Sequence, residues 1–166
     1  MNQFLKELGR ASSASGRVYL TGGATALSEG WRDATIRVDM KLVPESDDIL
    51  RAIARLKEHL EINVELSAPS DFIPELPGWE TRSRFLVQEG TLAFYHYDLY
   101  SQALSKIERR HQKDLADVQA MLDRGLIERK RLQELYDAIE PLLFRYPAID
   151  RSTFGRAVEA VTRLSD

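Results

Sequence analysis

The chain has 166 residues, a net charge of -3, 43% hydrophobic residues and 30% charged residues, values typical of a soluble globular protein with one domain or a compact core and a helical appendage. The near-neutral charge gives no global attraction to nucleic acid or to an anionic membrane, and the absence of cysteine excludes disulfides, thiolate nucleophiles and cysteine-based zinc sites. No apolar run approaches the ~20 residues of a membrane span, and the N-terminal stretch MNQFLKELGR predicts an amphipathic helix rather than a signal peptide. A cytoplasmic protein is therefore expected.

The first predicted strand and the turn after it form a candidate ligand site. Residues 1–8 predict a helix and residues 17–21 a short buried strand, which Gly22 and Gly23 end. Glycines directly after a strand permit positive φ and a close approach of the backbone to a ligand. A helix beginning near Ala24 would direct its free N–H groups at this turn, which favours an anion there. A turn of purely structural purpose is the alternative.

The next segments predict a strand, a helix and a second strand. Residues 35–43 alternate between two faces, with Arg37, Asp39 and Lys41 on one face and Ile36, Val38, Met40 and Leu42 on the other. Residues 47–60 carry an apolar stripe that predicts a helix, and Ser46 is placed to cap its N-terminus. Residues 61–67 alternate again and place Glu65 on the polar face. This order predicts an α/β sheet with a helix packed on one side.

The two alternating strands each present one carboxylate, Asp39 and Glu65. If the strands are neighbours, these carboxylates lie close enough to share a divalent ion, and hard oxygen ligands suit Mg²⁺. The alternative is a solvated sheet face on which Arg37 and Lys41 pair with Glu65 or Glu61 across the strands. Spacing alone favours the solvated face.

The second half of the chain changes from strands to helices. Residues 68–80 are rich in proline and acidic residues and predict a loop, and Glu89-Gly90 then lies between two runs that predict a β-hairpin. From residue 98 onward the apolar spacing is helical throughout. We therefore predict an α+β fold, with residues 1–97 as an α/β mixed-sheet core and residues 98–166 as a C-terminal helical region that packs on it.

Charged side chains of the helical region recur at helical spacing and predict one stripe, made of Lys106, Arg110, Lys113 and Asp117. Asp114 lies one turn beyond Arg110 and is placed to pair with it. The stripe is suited to phosphate binding, and a solvated face is the alternative. His96 lies between two tyrosines at the end of a strand, which favours a core or interface histidine over a catalytic base.

Together, these motifs resemble the nucleotidyltransferase superfamily with a DNA polymerase β-like fold. Within it, the chain is similar to the branch that contains the AbiEii-type toxins of toxin–antitoxin systems and related uncharacterised bacterial proteins. The signature of a Gly-Gly turn, a helix, an arginine and a T-x-D-x-D strand is matched by Gly22, Gly23, Thr25, Arg32, Thr35 and Asp39. Glu65 is the candidate for a further acid on a later strand. A K...R...KD motif is matched by Lys106, Arg109 or Arg110, Lys113 and Asp114.

The resemblance implies a reaction and the residues that carry it. In that superfamily the acids hold two Mg²⁺ ions, and an acceptor hydroxyl attacks the α-phosphate of a nucleoside triphosphate and releases pyrophosphate. It implies metal ligation by Asp39 and Glu65, catalytic roles for Asp39, Glu65, Lys106 and Asp114, and nucleotide contacts from Gly22, Gly23, Thr25, Arg32, Arg110 and Lys113. The partners it implies are a nucleoside triphosphate, a tRNA or other nucleic acid acceptor and a cognate antitoxin protein. A membrane is not expected among them.

One residue departs from the superfamily pattern. Arg37 stands where the first aspartate of D-x-D is expected, and a guanidinium cannot ligate Mg²⁺ but can form a salt bridge with Asp39 or Glu65. Three interpretations follow: an inactive relative that binds nucleotide, RNA or protein; a substitution introduced to abolish activity; or a ligand role taken over by another acid such as Asp33. The leading hypothesis is a nucleotidyltransferase scaffold that Arg37 impairs.

Overall fold

The protein is described from a computed structural model, which covers residues 1–31 and 37–163. Five strands form one mixed sheet: β1 (Gly16–Thr21), β2 (Arg37–Val43), β3 (Asn63–Leu66), β4 (Arg84–Glu89) and β5 (Leu92–His96). Their order in the sheet is β3-β2-β1-β5-β4. β1 is antiparallel to β2 and parallel to β5, while β2 is parallel to β3 and β4 is antiparallel to β5.

The helices of the described residues are α1 (Asn2–Ala11), α2 (Gly23–Ser28), α3 (Asp47–His59), α4 (Trp79–Arg82), α5 (Leu99–Arg109), α6 (Gln112–Asp123), α7 (Arg129–Ile139) and α8 (Arg151–Thr162). Two further segments, Pro69–Asp71 and Glu140–Arg145, are 3-10 helices. The predicted α+β class is therefore confirmed. No helix within residues 1–31 or 37–163 is both long and apolar enough to cross a membrane.

Alternation along the strands decides which sheet face is buried in a hydrophobic core. Val38, Met40 and Leu42 of β2 join apolar residues of β1, β3, β5, α1 and α3 in one cluster. The intervening residues of β2 point to the other face, because successive side chains of a strand alternate. As predicted, α3 begins at a Ser46 cap, whose hydroxyl accepts a hydrogen bond from Ile49 N at 3.2 Å.

The chain divides into two compact units. Unit 1 comprises Met1–Ala68 and Ser83–Tyr97 and contains the sheet, whereas unit 2 comprises Pro69–Arg82 and Asp98–Asp166. The segment predicted as a loop over residues 68–80 includes a 3-10 helix and the start of α4. Unit 2 therefore combines this segment with the helices that follow β5.

Unit 2 has a buried anchor that joins its two segments. Asp98 is 1% exposed, and its carboxylate accepts hydrogen bonds from Arg82 Nε at 3.1 Å and from Arg82 Nη2 at 2.8 Å. The same carboxylate caps α5, where it accepts from Tyr100 N at 3.2 Å and from Ser101 N at 3.3 Å. One side chain therefore stabilises both the start of α5 and the end of α4.

Candidate functional site

The sheet places the two candidate carboxylates side by side. In the register of the three neighbouring strands, Asp39 of β2 pairs with Thr21 of β1 and with Glu65 of β3. Paired residues of adjacent strands project from the same face of a sheet. Asp39 and Glu65 therefore share the face opposite the hydrophobic core, and Asp39 is 8% exposed.

Arg37 lies between these carboxylates and contacts both. Its Nε is 2.8 Å from Asp39 Oδ1, and its Nη2 donates to Asp39 Oδ2 at 3.2 Å. Its Nη1 is 3.2 Å from Glu65 Oε2. The fork geometry of a guanidinium suits this bidentate contact with one carboxylate and a second contact with the other. The salt bridge that the sequence offered as an alternative to a metal site is present, and it involves both acids.

Gly22 brings the Gly-Gly turn against the same carboxylate. It has φ +61, and a Cβ at this position would lie 3.0 Å from Asp39 Oδ2. A side chain here would be strained by the backbone conformation and would crowd the carboxylate. Glycine is thus required by a close approach, and the turn and the acidic pair form one site within unit 1.

The other predicted contacts of the turn have different surroundings. Gly23 is the first residue of the six-residue helix α2 and is half-buried. Thr25 is fully buried, and its hydroxyl donates to the Leu20 carbonyl at 3.2 Å, which ties α2 to β1. Arg32, Asp33 and Thr35 lie outside the described residues. The nucleotide contacts expected of Gly22, Gly23, Thr25 and Arg32 stay predictions, as does a ligand role for Asp33.

The acids present do not fit a divalent ion as the site stands. Two carboxylates are available, and a guanidinium occupies the space between them. Within residues 1–31 and 37–163 no group of three or more His, Cys, Asp or Glu residues is arranged to hold a metal. A cation that entered here would have to displace Arg37 from both of its partners.

The predicted basic stripe is wrong as a feature of one helix. Arg110 has a left-handed conformation with φ 58 and ends α5, and α6 begins after His111. Lys106 therefore belongs to α5, while Lys113 and Asp117 belong to α6. Helical spacing places residues on one face only along a continuous helix. Because α5 ends between Lys106 and Lys113, their spacing does not place them on one face.

The residues of the K...R...KD motif form a buried ion cluster in unit 2. Lys106 Nζ is 2.8 Å from Asp117 Oδ2 and 3.3 Å from Asp114 Oδ1, and the side chain of Lys106 is 5% exposed. Asp114 pairs with Arg109 at 3.1 Å, rather than with Arg110 as predicted. Two cations face two anions, so the charges of the cluster balance, which is the condition for burying them.

This cluster connects α5 to α6, whereas Arg110 and Lys113 are exposed. Helical spacing predicts a place for Asp117 on the stripe but no partner for it. Opposite charges on the apolar sides of two successive helices are the signal that could have identified the partner, since the structure buries Lys106 of α5 together with Asp114 and Asp117 of α6. The catalytic roles of Lys106 and Asp114 stay predictions.

His96 is buried in unit 1 at 4% exposure, in line with the core position that the sequence favoured. Its Nδ1 has no hydrogen-bond partner among residues 1–31 and 37–163, and its Nε2 is 3.9 Å from Glu29 Oε1. Burial lowers the pKa of His96 below the ordinary value of 6.5, against the opposing influence of Glu29, and Arg84 adds to the lowering. The neutral imidazole is therefore the form that the fold stabilises.

This lowered pKa predicts a loss of stability in weak acid. The unfolded chain binds the His96 proton more readily than the fold does, so the contribution of His96 is complete above its unfolded pKa of 6.5 and is lost as the pH falls toward the folded pKa. Urea unfolding at pH about 7.5 and about 5.5 should show a smaller pH effect for His96→Gln than for the wild type. His59→Gln, at an exposed position, is the matched control; an equal reduction in both variants would contradict the prediction.

The mixed sheet carries paired acids on adjacent strands, with a glycine turn against one of them, which is the arrangement that the resemblance to nucleotidyltransferases predicts for this α+β fold. A sequence model of the family described as nucleotidyltransferase of unknown function (DUF6036) matches residues 1–159, and the chain belongs to this family. Membership implies a nucleotide as the substrate. Comparison with curated proteins gives no significant match, and comparison with solved structures gives none either.

Proposed function

We propose that this chain carries the scaffold of a Mg²⁺-dependent nucleotidyltransferase in a form that Arg37 impairs. The reaction of the parent scaffold transfers a nucleotide from a nucleoside triphosphate to an acceptor. The observation that supports the proposal is the contact of one guanidinium with Asp39 and with Glu65, beside Gly22. These acids are the side chains that the motif order designates as metal ligands.

Electrostatics explains why Arg37 impairs the reaction. Two unit charges of the same sign that lie 4 Å apart near a protein surface repel each other by about 4 kcal/mol. The repulsion between a divalent ion and the guanidinium at this distance is roughly twice as large. The guanidinium also uses the carboxylate oxygens that a metal would need. An aspartate at position 37 would remove the repulsion and supply a third carboxylate on the same face of β2.

The proposal extends to the acceptor and the partner. The order of the Gly-Gly turn, the acidic strand and the K...R...KD motif supports a place near the AbiEii-type toxins. On that basis the acceptor would be a tRNA or another nucleic acid, and the partner a cognate antitoxin protein. Exposed Arg110 and Lys113 supply positive charge that suits a phosphate backbone.

The second candidate function is a catalytically inactive module that binds nucleotide, RNA or protein on the same scaffold. The salt bridges of Arg37 support this candidate as well, because they neutralise acids that a working site would keep for metal. The two candidates differ in what happens when position 37 becomes acidic. Only the impaired enzyme would then recover transfer.

The deciding experiment is transfer of label from α-labelled nucleoside triphosphates to total tRNA with Mg²⁺. Arg37→Asp should incorporate label at least about 100-fold faster than the wild type, equivalent to about 2.7 kcal/mol of transition-state stabilisation. Adding Asp39→Ala to Arg37→Asp should abolish the incorporation. Arg55→Asp makes the same charge change at an exposed position of α3 and should behave as the wild type.

Folding of each variant is checked by circular dichroism before the comparison. Failure of folded Arg37→Asp to label any acceptor, across the four nucleotides, would contradict the enzyme proposal and favour the inactive module.

A further inference from the structure

Because the acids as they stand do not fit a divalent ion, a nucleotide that binds at this site needs another source of positive charge. We propose that the wild-type site binds the phosphate chain of a nucleotide without a divalent cation, with Arg37 as its fixed cation. The inference rests on the proposed function for one point, namely that this is the nucleotide site. It goes further in assigning the ionic form of the ligand.

The charged side chains around Arg37 balance one another. Asp39 and Glu65 contribute two negative charges, and the guanidinium between them contributes one positive charge. Lys41 lies two residues along β2 from Asp39, on the same face, where it pairs in register with Tyr19. The formal charges of these four side chains sum to zero, so they do not repel a polyphosphate as a pair of bare carboxylates would.

The guanidinium of Arg37 is accessible to a ligand from solvent. The side chain of Arg37 is 42% exposed, although it contacts both carboxylates. An arginine held by two acids is fixed in position, and it therefore loses little side-chain entropy when a phosphate approaches. The cation that most nucleotidyl transfer sites recruit from solution would here be part of the chain.

The turn at Gly22 lies against the acidic pair without filling the space beside it. Its positive φ and missing side chain leave the backbone close to Asp39 Oδ2, where a Cβ would lie 3.0 Å away. A β-branched side chain at position 22 would fill the space between the turn and the carboxylate. The Gly22→Val variant therefore serves as a blocking variant, because it obstructs the site without changing any charge.

The test is equilibrium binding of ATP, GTP, CTP and UTP to the full chain by calorimetry, with EDTA or with excess Mg²⁺, and without an acceptor. For the wild type we expect at least one nucleotide to bind with a Kd that agrees within about threefold between EDTA and Mg²⁺. For Arg37→Asp we expect binding at least about tenfold weaker in EDTA than in Mg²⁺. Arg55→Asp should match the wild type, and folded Gly22→Val should lose binding.

Three results would overturn the inference: wild-type binding that requires Mg²⁺, no wild-type binding of any nucleotide under either condition, or binding by Arg37→Asp that is as strong in EDTA as in Mg²⁺. None of them decides the proposed function, which depends on label transfer by Arg37→Asp. Conversely, EDTA-resistant binding by the wild type together with no transfer by folded Arg37→Asp would support this inference and contradict the enzyme. Because binding is measured without an acceptor, the two outcomes are read independently.

Discussion

Replacement of Asp98 by alanine is expected to lower the free energy of unfolding by about 3 kcal/mol, near the lower end of the range for breaking a buried ion pair. The variant removes the bidentate partner of Arg82 and the N-cap of α5 together. Arg82 is 21% exposed, so water compensates part of its lost contact. Asp98 itself is almost completely buried, and this burial makes the effect larger than that of a surface cap.

Urea unfolding monitored by circular dichroism measures this effect. Asp150→Ala is the matched control, since Asp150 caps α8 by accepting from Thr153 N at 2.8 Å but is exposed. We expect the control to lose much less stability, because its cap is exposed to solvent. Equal losses in the two variants would show that the contact between Arg82 and Asp98 contributes nothing beyond capping.

Local patterns were sufficient to predict the elements that form the sheet. The strict alternation of residues 35–43 and 61–67 placed Asp39 and Glu65 on polar faces, and the register pairs them directly. Period-two patterning is informative because one face of each strand must enter the core. The cap of α3 at Ser46 was likewise predictable, since it depends on residues adjacent in the chain.

Long-range contacts could not be read from the sequence. The approach of Gly22 to Asp39 depends on the antiparallel pairing of β1 with β2, which brings together residues 17 positions apart. The pairing of Arg82 with Asp98 depends on how the segment before β4 packs against α5 within unit 2. No local pattern encodes either contact, because each arises from tertiary packing.

The predicted stripe of Lys106, Arg110, Lys113 and Asp117 failed for a related reason. Nothing in the composition of the stretch marks Arg110 as a break, since arginine is a good helix former and seldom adopts a left-handed conformation. The break is compensated by the cluster that forms when α6 returns against α5, in which Lys106 meets Asp117 at 2.8 Å. A local propensity was thus overridden by a tertiary contact.

The largest ligand effect is expected for metal binding when Arg37 is replaced by aspartate. The substitution removes the cation that contacts Asp39 and Glu65, and it adds a third carboxylate to the same face. Mn²⁺ is a suitable probe because it shares the preference of Mg²⁺ for oxygen ligands. We expect the affinity for Mn²⁺ to rise at least about 100-fold over the wild type, equivalent to about 2.7 kcal/mol.

The most direct test of the account is therefore a Mn²⁺ titration of the folded wild type and of Arg37→Asp, followed by the paramagnetic resonance signal of the free ion. Arg55→Asp controls for the change in net charge, and Asp39→Ala added to Arg37→Asp controls for the location of the ion. The account predicts that the wild type and Arg55→Asp leave the Mn²⁺ signal unchanged, while Arg37→Asp depletes it unless Asp39 is also removed. Equal depletion by the wild type and by Arg37→Asp, or no depletion by folded Arg37→Asp, would contradict it.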